Sequence, residues 1–183
     1  MADFKKTMEL IQKYEGNEYV NDPHDYGGET KCGIAKRFHP DVDIKNLVWD
    51  DPAPEGKVSA LPIYRKDYWD KICGDGITDQ DLANSMMDIA VNIGWKEAGR
   101  WVQHAFNELI VSIDPDSPDT LTEDGLVGPA SIKSINSYKR PWEIMKMLEG
   151  FQFSHYMRRI QEDETQRKFL RSWLMRIDTR RTV

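Results

Sequence analysis

The chain has 183 residues, of which 39% are hydrophobic, 31% charged and 10% aromatic, a balance that supports a packed core and excludes a disordered or fibrous chain. That length suits one domain, or one domain with a compact second lobe, and excludes two domains of full size. A formal net charge of −6 excludes the basic footprint of a nucleic-acid binder or of a protein held to an anionic membrane surface, so no nucleic-acid partner is expected.

Phe4, Met8 and Ile11, with Leu10 and Tyr14 beside them, recur at helical spacing after Asp3, a suitable N-cap, and predict a first helix that ends at Glu15 because Gly16 stops the run. From Gly16 to about Pro40 the chain is rich in Gly, Asn, Asp and Pro, which predicts turns and at most a short hairpin. A connector rich in Pro and Asp follows, and Leu61, Tyr64, Tyr68 and Ile72 then mark a second helix with Pro62 in its first turn. Asp79 to Ile93 is apolar on more than one face and reads as a central helix. Beyond Gly94, the spacing of Trp95, Ala98, Trp101, Val102, Ala105, Phe106 and Leu109 predicts a fourth helix. An acidic loop, DPDSPD, precedes a short helix from Pro129, a longer one from Pro141 to about Arg159 and a last one around Glu164 to Arg176, both prolines sitting at first helical positions. The expected class is mainly α with a small β-hairpin element, in two lobes covering residues 1–94 and 95–183 packed as one unit.

Several chemistries lack their pattern. The four histidines are scattered and neither cysteine has a companion at ligand spacing, so no metal and no cofactor is expected. Cys32 and Cys73 are read as free thiols, because two cysteines do not make a disulfide framework in a chain of this size. The N-terminal segment is interrupted by Asp3, Lys5, Lys6 and Glu9, which removes a signal-peptide core, and no stretch approaches the roughly 20 apolar residues of a membrane span. Synthesis in the cytoplasm, no membrane insertion and a monomer are the corresponding expectations.

A Glu at a helix end before a polar loop is in most proteins a solvated terminus. The string from Tyr14 to Ile34, YEGNEYVNDPHDYGGETKCGI, carries more information. It resembles the catalytic segment of glycoside hydrolase family 108, the phage and prophage N-acetylmuramidases, whose pattern runs E-G-G-Y-V-N-D-P-x-D-x-G-G-x-T-x-x-G-I. The resemblance continues in order through IYRKDYWDKI, LANSMMDIAVNIG, DGLVGPASI and KFLRSWLMRI, so that nearly all of the chain is covered. From about Trp95 onward it is to the associated C-terminal module named as a predicted peptidoglycan-binding domain.

This resemblance implies a lysozyme-like helical fold and a hydrolase that cuts the β-1,4 bond between N-acetylmuramic acid and N-acetylglucosamine in bacterial peptidoglycan. It makes Glu15 the catalytic acid. Glycosidic hydrolysis also needs a second group to place water or to stabilise the oxocarbenium-like transition state, and the loop offers Asp22, Asp25, Glu29 and Thr30, with Gly27 and Gly28 permitting a tight turn between Asp25 and Thr30. The spacing of Glu15, Asp25 and Thr30 is similar to that of inverting phage lysozymes, although there the Asp comes one residue earlier, where this chain has His24. Asp25 is either that water-placing group or a turn cap, and the stereochemistry stays open. A phage role implies release to the wall through a holin-type pore; a secretion-associated role is the other route. Two activities compete with the muramidase reading: a lytic transglycosylase, using the same acid without water, and a catalytically silent wall-binding module.

Tyr19, Tyr68, Asp88 and Asn92 complete the candidate set as substrate contacts. Asp88 and Asn92 stand one helical turn apart just before Gly94, where both could face a sugar, or where Asp88 could instead pair within the protein. Trp69 is expected in the core. One departure from the family pattern stands next to the acid: the second Gly of E-G-G is Asn17 here, a residue that tolerates left-handed backbone better than most.

Overall fold

The structure, a computed structural model, describes residues 1–21 and 28–177. Contacts separate two compact units, Met8–Asp67 in one and Met1–Thr7 with Tyr68–Val183 in the other. The first helix, α1 (Phe4–Glu15), passes from the larger unit into the smaller between Thr7 and Met8. Asp3 Oδ1 accepts from the Lys5 backbone N–H at 2.8 Å at its start, and at its end Gly16 turns away with φ +66, a conformation glycine adopts without steric cost.

In the smaller unit, β1 (Val20–Asn21), β2 (Glu29–Lys31) and β3 (Ile34–Ala35) form an antiparallel sheet in that order. Lys31 pairs with Ile34, so Cys32 and Gly33 alone make the turn between β2 and β3, at φ 51 and 68. Positive φ at both central residues is the type I′ pattern, whose twist suits a tight hairpin. The sheet expected in the Gly-rich region is therefore present. A second pairing was not foreseen: β4 (Leu47–Val48) runs parallel to β5 (Val58–Ser59). The short helix α2 (Leu61–Tyr64) then continues into a wider π-helical turn, Arg65–Trp69, where a single regular helix was expected.

The larger unit is helical throughout: α3 (Gln80–Asn92), α4 (Trp95–Ile113), α5 (Pro129–Ser137), α6 (Pro141–Glu162) and α7 (Leu170–Ile177). Asp79 caps α3 through its side chain, accepting from the Leu82 N–H at 2.8 Å, and Pro129 and Pro141 open α5 and α6 as anticipated. The helices α3, α4 and α6 pack on one another. Their core is built from Leu82, Met86, Met87 and Ile89, from Val102 and Phe106, and from Ile144 and Leu148, all at most 2% exposed. The helices α3 and α4 pack together on either side of Gly94. Trp69 is fully buried, as expected of a core residue, with its ring 5.5 Å from Phe4. The class is mainly α with a small antiparallel sheet, the architecture of a lysozyme-like fold.

Candidate active site

Glu15 is half-buried at the C-terminal end of α1, and the chain folds to bring the β2–β3 turn against it. A methyl group built at Gly33 would stand 2.6 Å from Glu15 Oε2 and 2.4 Å from the Tyr64 hydroxyl oxygen, so the acid and the phenol crowd one point on the Gly33 backbone. No side chain larger than hydrogen fits there, and φ +68 independently favours glycine. Gly33 itself is exposed, while Glu15 is only partly so.

Three further contacts hold the segment around the acid. Tyr64, buried at 1% exposure, donates its O–H to the Cys32 carbonyl at 2.9 Å. Trp49 lies against Tyr64, ring centroids 5.3 Å apart, and donates its indole N–H to the Gly16 carbonyl at 2.9 Å. The Cys32 thiol, buried at 1% exposure, donates to Asn17 Oδ1 at 3.3 Å. Burial pushes that thiol up from its ordinary value, the nearby Lys31 opposing, so the sulfur stays a protonated donor near neutral pH. The departure at Asn17 is thereby accounted for: Asn17 is not in the left-handed region, which Gly16 occupies beside it, and its carboxamide takes the thiol of the turn.

Of the residues singled out from sequence, Glu15, Tyr19 and Thr30 fall in this unit. Thr30 is the middle residue of the central strand, paired with Val20 and Ala35, and its hydroxyl donates to the Gly28 carbonyl at 3.2 Å. Tyr19 is 38% exposed, and the Lys45 ammonium lies 5.8 Å from its ring centre. Partial desolvation and the Glu29 carboxylate push its phenol up from the ordinary value, so it remains protonated and able to donate. Asp25 lies outside the described residues, as do Asp22 and His24.

Asp88, Asn92 and Tyr68 fall in the larger unit. Asp88 has no exposure and both carboxylate oxygens are engaged, Oδ1 by Arg176 at 2.9 Å and Oδ2 by Gln152 Nε2 at 2.9 Å. Asn92 donates to the Tyr156 hydroxyl, which also accepts from Gln152 at 2.9 Å. Tyr156 stacks on Trp173, centroids 4.8 Å apart, and its phenol is pushed far above its ordinary value by burial and then by Asp88. Asp88 and Asn92 thus tie α3 to α6 and α7. Tyr68 is half-buried. Two cavities in this unit, about 750 Å³ beside Asp70 and Lys133 and about 380 Å³ beside Trp101 and Phe151, are lined by none of the predicted site residues.

Comparison with known proteins bears on the same segment. Residues 8–94 match the family model described as glycosyl hydrolase 108. The matched segment holds Glu15, the three-stranded sheet, Trp49 and Tyr64, so the contacts around Glu15 lie within the residues that match this family. A solved structure of SagA from Brucella abortus shares the fold with a TM-score of 0.66 at 21% identity, over 95% of this chain and 88% of that one. No curated protein matches this chain.

The residues that sequence reasoning did not single out are Tyr64, Trp49, Cys32 and Gly33. Cys32-Gly33 falls inside the recognised motif and signals its turn through the glycine. Tyr64 and Trp49 come from separate segments and carry no local mark of their partnership.

Proposed function

We propose that the protein is a peptidoglycan hydrolase of the N-acetylmuramidase type, cutting the β-1,4 bond between N-acetylmuramic acid and N-acetylglucosamine, with Glu15 as general acid. The observation that carries this reading is the half-buried Glu15 carboxyl at the end of α1, held against an exposed glycine turn inside the family 108 segment. A carboxyl so placed is fixed in direction by its neighbours while a long polysaccharide can still approach it. In the reaction its proton passes to the glycosidic oxygen as the bond from that oxygen to the anomeric carbon of N-acetylmuramic acid breaks, and water attacks that carbon. Thr30 and Asp25 are assigned to the water, Tyr19 and Tyr68 to the sugar rings. Residues 95–183 are assigned to glycan binding, and the protein works on the cell wall as a monomer after release from the cytoplasm, as in phage lysis.

Mass analysis of soluble muropeptides released from purified sacculi, with wild type and Glu15→Gln at matched concentration, tests the reading. Muramic acid at the reducing ends, from wild type alone, is the expected result. Anhydro ends move the activity to a lytic transglycosylase. Release by neither protein, with sacculus binding kept, leaves a silent binding module.

A further inference from the structure

Tyr64 sits in the family 108 segment without any role given to it by the reaction as drawn above. Its hydroxyl has one proton, and that proton is spent on the Cys32 carbonyl at 2.9 Å. Toward any other neighbour the oxygen can only accept, because a phenol has a single donor and two lone pairs. The neighbour on that side is the Glu15 carboxyl, which crowds the same point on the Gly33 backbone as the Tyr64 oxygen. An ionised carboxylate is acceptor-only and gains nothing from a phenol oxygen whose proton is committed elsewhere; a protonated carboxyl brings the missing donor.

We propose that Tyr64 is a positioning residue for the catalytic acid: with its own proton fixed on the Cys32 carbonyl, its oxygen accepts from the protonated Glu15 carboxyl and holds that proton in place until a glycosidic oxygen replaces it. The proposal rests on the reading of Glu15 as the acid. No bond changes in this resting contact. On catalysis the proton moves from Glu15 to the leaving oxygen, the glycosidic bond breaks, and Tyr64 keeps its proton throughout.

Polarity is set by elements that share no local sequence. The Cys32 carbonyl is presented by the type I′ turn, with φ 51 at Cys32 and 68 at Gly33. The Tyr64 ring is set by Trp49, which also fixes Gly16 next to the acid through the indole bond to its carbonyl. Because the phenol donates into the turn, a shift of the turn would free its proton and reverse the sense of the contact, making Tyr64 a donor to an ionised carboxylate. The hydroxyl is thus the part of Tyr64 that matters to the acid, and the ring is the part that matters to packing.

Tyr64→Phe separates the two. It keeps the ring against Trp49 and removes the oxygen. The expected result is a fall in kcat of about 10-fold, the scale of one lost hydrogen bond, with KM unchanged. Circular dichroism and a thermal melt establish that the variant is folded at the assay temperature. Ile144→Val, in the buried core of the larger unit, is the companion variant: it is expected to lower the melting temperature and leave kcat where it is. A Tyr64→Phe kcat within about two-fold of wild type overturns the proposal, as does a KM that rises while kcat holds, or an Ile144→Val kcat lowered to the same extent. Glu15→Gln keeps the two levels apart: if it remains active, the acid assignment falls and this proposal with it, whereas an inactive Glu15→Gln beside a Tyr64→Phe with wild-type kcat removes the positioning role alone.

Discussion

Arg176 on α7 reaches Asp88 on α3 with Nη1 2.9 Å from Oδ1, joining a side chain with 11% exposure to one with 1%. The carboxylate on α3 also takes Gln152 of α6, so a single buried charge organises three helices. Removing one partner of such a pair leaves the other charged and desolvated, which is far more costly than losing an exposed ion pair. Asp88→Ala is expected to destabilise the protein by about 3–5 kcal/mol, read as the shift in urea midpoint. Arg176→Met is expected to cost a similar amount, and the double variant less than the two together. Additive single effects would mean that the two side chains act independently.

Gly33→Ala is the sharpest local test of the turn beneath the acid. The new methyl would meet the Tyr64 oxygen at 2.4 Å and Glu15 Oε2 at 2.6 Å, and left-handed backbone costs a non-glycine residue about 1–2 kcal/mol besides. Both side chains it displaces belong to the same small constellation. The expected outcome is a loss of peptidoglycan release by at least about 100-fold, of the order that misplacing a reacting group by an ångström produces, with the helical far-ultraviolet signal retained. Activity within a few-fold of wild type would show that the carboxyl is not held by this contact.

His155 gives a pH signature distant in sequence from the acid. Burial, and then the adjacent Arg158 and Arg159, lower its imidazole below the ordinary value, while Glu97 and Glu162 oppose them. The unfolded chain therefore takes up this proton at a higher pH than the folded one does. The associated stability is present above the unfolded value of about 6.5 and is lost as pH falls through it toward the folded value. His155→Phe keeps a ring beside Trp101, whose centroid lies 5.9 Å from that of the imidazole, and cannot titrate. Between about pH 7.5 and pH 5 the melting temperature of wild type should fall more than that of the variant. Parallel falls would mean that His155 carries its proton equally in both states.

Helix periodicity made most of the architecture readable in advance, because α1 and α3 open on a capping Asp, α5 and α6 on a proline, and α4 carries an apolar stripe beyond Gly94. What escaped has a common physical origin in distance along the chain. Asp88 on an apolar helix advertises a partner without saying which one, and the partners lie on α6 and α7. Read alone, it suits a sugar contact as well as an internal ion pair. The parallel pairing of β4 with β5 involves only two residues on each side, too few for an alternating pattern to form. Around the acid, the motif announced Glu15, Thr30 and the glycine turn, whereas Trp49 and Tyr64 enter through tertiary packing that has no local period.

The residue that opens the β2–β3 turn is Cys32, at φ 51, where type I′ turns favour Asn, Asp or Gly. A cysteine there works against the hairpin, yet its thiol secures Asn17 and its carbonyl receives Tyr64. The turn therefore gives up local preference for a side-chain tie: a better turn former at this position would keep the carbonyl for Tyr64 and lose the thiol that holds Asn17 in the loop beside the acid. Attempts to harden this protein against heat by idealising its hairpin would trade alignment of the acid for rigidity of the sheet, and Cys32 is the position where that exchange is decided.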